Sequence, residues 1–434
     1  MPFVFYQLVG AALLSASLCS GALAQSTSNS SPLTLEAALR EAETRSQSLA
    51  AQDAATRSAR NMAVAAGRLP DPTLRLSIDN LPIEGINQFS VAAEPMTMRS
   101  VGLAQTFVSL DKRAARSARF EREGDTAQAM RVLQLTELRQ QTALAWFDRY
   151  YQQQMLDLLN RQREETALQV EAAETAYRSG RGAQADVFAA QSAVARLDDR
   201  MVEVHAQAAN ARSTLARWVG ELAGAPLGSA PSLAQTRYTS DTPTHLLQRH
   251  PDLAVLSSRQ ALAQAEVDIA QQDKQADWTI SLNYSQRGPT FANLMSIGFF
   301  IPLQWDQKNR QDRELASRLA KVEQIRAERD ETARSHLAQT QAWLASWQSN
   351  LARLTHYDET LIVLARERTQ AALTAYRGGK LPLSGVLEAR RMEIDTKVER
   401  LRIEMRTAAL WTSLEFLLPD GSASINSFLQ DKAQ

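Results

Sequence analysis

The 434-residue sequence predicts an α+β fold in which long helical hairpins are written twice, each half carrying a pair of short strands. Three observations point there. The stretch "AYRSGRGAQADVFAAQ" (Ala176 to Gln191) has a second version, "AYRGGKLPLSGVLEAR" (Ala375 to Arg390), with the same frame of Ala-Tyr-Arg, a glycine three after the tyrosine, then Val, a bulky apolar residue and Ala. Lys308 to Arg377 contains neither Gly nor Pro, and Lys112 to Ser179 contains only Gly124. At about 1.5 Å per residue each run spans roughly 100 Å, far beyond an ordinary globular helix. Finally, four short segments alternate apolar and polar residues with the period of a strand.

Along the chain, residues 1–24 are apolar with "LVGAALLSASL" as their centre, and small residues at Ala22 and Ala24 suit signal-peptide cleavage between Ala24 and Gln25. The n-region lacks Lys and Arg. Lipid-linked cleavage before Cys19 is the alternative, and Leu18 in front of it is larger than such a site prefers. The polar stretch 25–33 has the composition of a disordered tail. Two repeats follow, over 34–220 and 244–418, joined by a linker at 221–243 and followed by a tail at 419–434. Each opens with a helix of moderate length, Leu35 to about Gly67 and Thr244 to about Gln275, with Thr34 and Thr244 as cap or near-cap residues. Pro70 and Pro72 end the first.

The strands are Thr73–Asp79, Ser100–Phe107, Asp277–Ser285 and Ser296–Leu303. Leu74, Leu76, Ile78, Trp278, Ile280, Leu282, Ile297 and Phe299 fall on apolar faces, opposite Thr, Ser and Asn. In an exported chain such strands suit a membrane β-barrel whose apolar residues face lipid, with Trp278, Tyr284, Phe299, Phe300 and Trp305 as an aromatic girdle. A small soluble sheet with one buried face has the same pattern. If the strands are in a membrane, four cannot close a barrel, so the barrel must be shared between chains.

The long helices follow, with Leu344, Trp347, Leu351, Leu354 and Leu361 as a heptad seam whose one polar slot is Asp358. Glycines at 180, 182, 378 and 379 provide turns, and return helices run to about Val219 and Leu418, where Gly220 and Pro419 stop them. Each hairpin therefore has the repeated stretch at its tip.

Composition narrows the function. Forty-eight basic residues balance 48 acidic ones, giving no electrostatic case for a nucleic-acid partner. One cysteine and five histidines without ligand spacing leave no metal motif, and no nucleophile–base pair or phosphate loop indicates an enzyme or a cofactor. Met96 and Met98 are soft ligands by type but sit beside a strand, where packing explains them. After the leader no apolar stretch is long enough for a membrane helix.

Helix, two strands, long helix, Tyr-x-x-Gly turn and helix, repeated behind an export signal, resembles the TolC-type outer-membrane efflux proteins from about Leu33 to Leu418. Within that family "EPMTMRSVGLAQTF" (Glu94 to Phe107) is similar to the CzcC/CusC-like branch serving heavy-metal efflux. The resemblance implies a homotrimer in the outer membrane of a Gram-negative bacterium, with a shared twelve-stranded barrel in lipid and most of each chain forming a periplasmic tube. It implies a passive duct docking a periplasmic adaptor and an inner-membrane pump of the RND type. Heavy-metal cations such as cobalt, zinc, cadmium, copper or silver would be the cargo. Drug efflux or type I secretion through the same architecture is one alternative, and a soluble periplasmic coiled-coil scaffold is another. The family's periplasmic gate falls on Tyr376 and Asp186, with Tyr177 and Glu388 beside them, and adaptor docking on the tips, Gly180, Arg181, Gly182, Gly379, Lys380 and Leu381. Two positions depart from the family pattern: Leu381 stands where a gate arginine is expected, and Gly385 replaces one acid of a double carboxylate ring.

Overall fold

The computed structural model describes residues 32–237 and 249–419. The expected cleavage at Ala24 and Gln25, Cys19, the cap at Thr244 and the tail after Pro419 lie outside the described residues. The first half runs α1 (Leu35–Arg45), α2 (Gln47–Ala66), β1 (Thr73–Asp79), β2 (Met98–Phe107), α3 (Leu110–Arg178) and α4 (Gln184–Val219), closed by a 3₁₀ turn at Gly220–Gly224. The second runs α5 (Pro251–Gln272), β3 (Trp278–Gln286), β4 (Leu294–Phe300), α6 (Gln311–His356), a π turn at Tyr357–Leu361, α7 (Ile362–Arg377) and α8 (Leu383–Glu415).

Thr34 caps α1 as expected, its hydroxyl accepting from the Ala37 amide at 3.2 Å. The single helix anticipated from Leu35 to Gly67 is instead two. Ser46 leaves helical geometry (φ −70°, ψ 106°), and its hydroxyl accepts from the Leu49 amide at 3.4 Å, so it caps α2 rather than continuing α1. Helix α3 is continuous for 69 residues, about 100 Å. Its counterpart carries the π turn, where Asp358 leaves the seam to pair with Arg400 of α8 at 2.9 Å.

The core lies midway along the helices. Trp146, Leu159 and Leu215 are fully buried there, and Phe147 meets Trp411 edge-on at 5.8 Å. Three indoles at this level hold the linker and the segment leading into α1. Trp146 Nε1 donates to the Leu33 carbonyl at 3.0 Å, Trp347 Nε1 to Leu233 at 3.1 Å and Trp411 Nε1 to Gln235 at 2.8 Å. Leu33 also bridges Leu227 in parallel.

Candidate functional site

The strands form one antiparallel sheet in the order β1-β2-β3-β4. Its register sets Leu74 opposite Leu103, Leu103 opposite Leu282, and Leu282 opposite Ile297, so the apolar residues of all four strands share one face. That face is bare: Leu74, Leu76, Ile78, Leu103, Leu282, Ile297 and Phe299 are all exposed, Leu76 by 70%. Ile280 is half-buried. The opposite face is a polar ladder, with Ser100 and Ser285 hydroxyls 2.8 Å apart, Thr106 and Thr279 hydroxyls 2.9 Å apart, and the Asp79 carboxylate accepting from Ser100 at 2.7 Å. A soluble half-buried sheet sets its apolar side against helices; here it stands clear of them. Among the described residues, strands β1 and β4 are also unpaired along their outer edges.

The joint between sheet and helices is charged. Lys112, 3% exposed in the first turn of α3, reaches Asp277 at 3.0 Å, Asp273 at 3.3 Å and the Gln275 carbonyl at 2.9 Å. Phe107 and Trp278, paired across β2 and β3, stack with centroids 4.4 Å apart at the same end of the sheet.

At the opposite end of the helices the two tips make the same turn. Gly180 has φ +68° and Gly379 φ +70°, a region that L side chains rarely occupy. In the first tip Gly180 N donates to Tyr177 O at 3.0 Å and Arg181 N to Ala176 O at 2.9 Å; in the second Gly379 N donates to Tyr376 O at 3.0 Å and Lys380 N to Ala375 O at 2.8 Å. Each is a complete Schellman cap. The tips share a small core of Ala173, Val187, Ala190, Leu383 and Val386, with Tyr376 and Leu381 packed on its rim.

Asp186 and Tyr376 line one cleft of about 840 Å³ together with Gly180, Arg181, Gly182, Gly379, Lys380 and Leu381. No hydrogen bond joins the two in the single chain: Asp186 Oδ2 accepts from the Ala183 amide at 3.3 Å, capping its own helix. Tyr177 is exposed, and Glu388 pairs with Arg391 at 2.9 Å on the surface of α8. Leu381 and Gly385 touch each other. A Cβ at Gly385 would lie 2.9 Å from Leu381 Cγ, so the leucine occupies the space that a side chain at 385 would need.

One cluster went unread in the sequence. His250 is the N-cap residue of α5, Asp252 lies in its first turn, and His336 is on α6. The imidazoles of His250 and His336 stack with centroids 3.9 Å apart. His336 Nε2 is 3.0 Å from Asp252 Oδ2, His250 Nδ1 is 3.8 Å from the same oxygen, and His250 Nδ1 accepts from the Asp252 amide at 3.2 Å. Burial pushes His250 down to about 4, with His336 adding to the shift and Asp252 opposing it. Glu137 of α3 is raised by burial and by the charge of Asp252. Antiparallel contacts set the register of α5 against α6: Arg318 meets Glu266 at 2.7 Å and Arg329 meets Gln260 at 3.1 Å, which leaves His336 beside Asp252.

Solved structures share this fold. The outer membrane protein VceC of Vibrio cholerae is 20% identical with a TM-score of 0.71, matching 88% of this chain and 94% of its own. The outer-membrane channel OprN is 17% identical (TM-score 0.74; 89% and 90%), and CusC is 14% identical (TM-score 0.69; 89% and 93%). These neighbours are outer-membrane channels of the TolC type, and at such identities the likeness is one of fold. No protein-family model and no curated protein matches the chain.

Proposed function

We propose that the chain is one subunit of a homotrimeric outer-membrane exit duct, through which a periplasmic adaptor and an inner-membrane pump of the RND type discharge substrate. The observation carrying this reading is the bare apolar face of an open-edged, four-stranded sheet set on helical columns of about 100 Å. Lipid accepts the face but not the edges. Closing a barrel takes about eight strands or more, so copies must pool their sheets, and three copies supply about twelve. The Ser and Thr ladder then lines the water-filled bore, with Leu74, Leu76, Ile78, Trp278, Ile280, Leu282, Ile297 and Phe299 toward lipid.

The tips are the docking and gating end. Gly180, Arg181, Gly182, Gly379, Lys380 and Leu381 meet the adaptor, and the Tyr376 hydroxyl binds Asp186 when the tips of the assembled trimer converge. That closure requires Asp186 to release the Ala183 amide. Tyr177 and Glu388 flank the constriction, and Glu388 alone supplies its acidic ring because Gly385 carries no charge. The cargo is a heavy-metal cation, supported by the likeness of Glu94 to Phe107 to the metal-efflux branch. In this scheme 34–220 and 244–418 are repeats of one unit, 221–243 is the belt, and the leader leaves between Ala24 and Gln25, which N-terminal sequencing of the mature protein tests.

Detergent extraction of the outer-membrane fraction, followed by native mass, tests the duct. Three chains per particle is the expected result; a soluble monomer released by osmotic shock overturns it. Sensitivity of a deletion strain to metal salts but not to a panel of drugs tests the cargo, and the reverse pattern assigns drug efflux.

A further inference from the structure

We propose that His250, Asp252 and His336 form a binding site for a divalent transition-metal ion of the zinc class, clamping the start of α5 to the middle of α6. This holds whatever the duct carries. Zinc bonds of about 2.0–2.2 Å to nitrogen and oxygen, in tetrahedral geometry, put neighbouring ligand atoms about 3.4 Å apart. The pair His336 Nε2 to Asp252 Oδ2 at 3.0 Å and the pair His250 Nδ1 to Asp252 Oδ2 at 3.8 Å lie on either side of that value. The candidate ligand atoms of the three residues all fall within 4.8 Å of one another. The stacked rings bring both imidazoles to one carboxylate, and all three residues are half-buried, sheltered yet open enough for an ion to enter.

Two imidazoles and a carboxylate make a three-ligand set with a fourth position for water. Nitrogen and oxygen donors favour zinc, cobalt, nickel or copper(II) over soft monovalent ions, which seek thiolate or thioether. The site has two costs. The positive end of α5 opposes a cation, and the Asp252 carboxylate in that first turn offsets it. A metal on His250 Nδ1 displaces the Asp252 amide hydrogen, so one cap bond is exchanged for a coordinate bond.

The test uses the full chain, purified in detergent without a histidine tag, stripped with chelator and titrated with zinc chloride by calorimetry. One zinc per chain is expected, with a melting temperature that rises with zinc because only the folded chain assembles the three ligands. Loss of a supporting group around a metal ligand commonly weakens binding about 10- to 100-fold, so His336→Ala and Asp252→Asn, which remove ligands, should each weaken it at least tenfold. His205→Ala and His356→Ala, at exposed helical positions, should change nothing. Cobalt chloride should give the visible absorption of a four-coordinate ion in the parent and not in His336→Ala. Circular dichroism of the metal-free variants checks that they fold, and if His336→Ala does not, Asp252→Asn carries the test. No stoichiometric uptake, or uptake that persists at full affinity in folded variants, overturns the site.

Discussion

Helix α3 and the α6–α7 column have nearly equal lengths and opposite surroundings. Within a single chain α3 buries eighteen residues, among them Trp146, Phe147, Tyr151 and Leu159, because α2, α4, α5 and α8 pack around it. Helix α6 buries three, Ile325, Thr340 and Trp347, and α7 only Thr369. The first column is unbroken; the second changes phase at the π turn and leaves Leu319, Val363 and Leu364 exposed. One helix is the spine of its own chain. The other presents a side that the described residues do not cover, and in the proposed duct the next subunit covers it.

Six substitutions sharpen or break this contrast. The largest effect belongs to the spine. Trp146→Ala removes a fully buried indole and its bond to Leu33, and should cost about 3–5 kcal/mol in denaturant unfolding. Lys112→Met removes a buried cation shared by Asp273 and Asp277 and its bond to the Gln275 carbonyl, but the carboxylates are partly exposed and Asp273 keeps Arg116, so the cost should be about 1–2 kcal/mol, read as an earlier thermal transition. Gly180→Ala and Gly379→Ala should each cost about 1 kcal/mol through the positive φ, and equal losses are the expected sign of equivalent tips. Leu364→Arg should move the stability of the chain by no more than about 0.5 kcal/mol while shifting native mass from the proposed trimer to smaller species. A loss as large as that of Trp146→Ala would show the second column to be buried within its own chain.

The smallest effect is an acid limb. Burial raises the Glu393 carboxyl, but Lys397, Thr369 and Arg390 outweigh it, and the net result is a carboxyl held below its ordinary value. The folded state therefore binds that proton less readily than the unfolded chain. Its stabilisation is complete above the ordinary carboxyl range and is lost as pH falls through the lowered value. Glu393→Gln should flatten this limb in melting curves taken across acidic pH.

Much of the architecture was legible because its signals are periodic. Strand β1 occupies Thr73–Asp79, the bounds that strict alternation set. Strand β4 stops at Phe300 rather than Leu303; Pro302 has no amide for a ladder, and pairing with β3 has already ended at Thr279 opposite Phe300. What periodicity misses are single side chains that choose between partners. Ser46 caps instead of continuing a helix, Asp358 follows Arg400 out of the seam, and Asp186 turns to its own backbone. The tip residues were placed together by their repeated frame. The His250–Asp252–His336 cluster depends on how α5 registers against α6 across the strands between them, and histidine spacing along the chain carries no trace of that.

The side-chain bonds to the linker have a mechanical consequence. Trp347 and Trp411 fasten α6 and α8 to the linker, and Arg149, donating to the Ala225 carbonyl at 2.7 Å, fastens α3, so one strap holds all three helices at one height. From Trp146 to the end of α3 is about 50 Å, and on a lever of that length one degree of tilt moves the tip by about 1 Å. The strap acts as a fulcrum: a few degrees that barely disturb the packed middle become a displacement of about 3 Å at the far end.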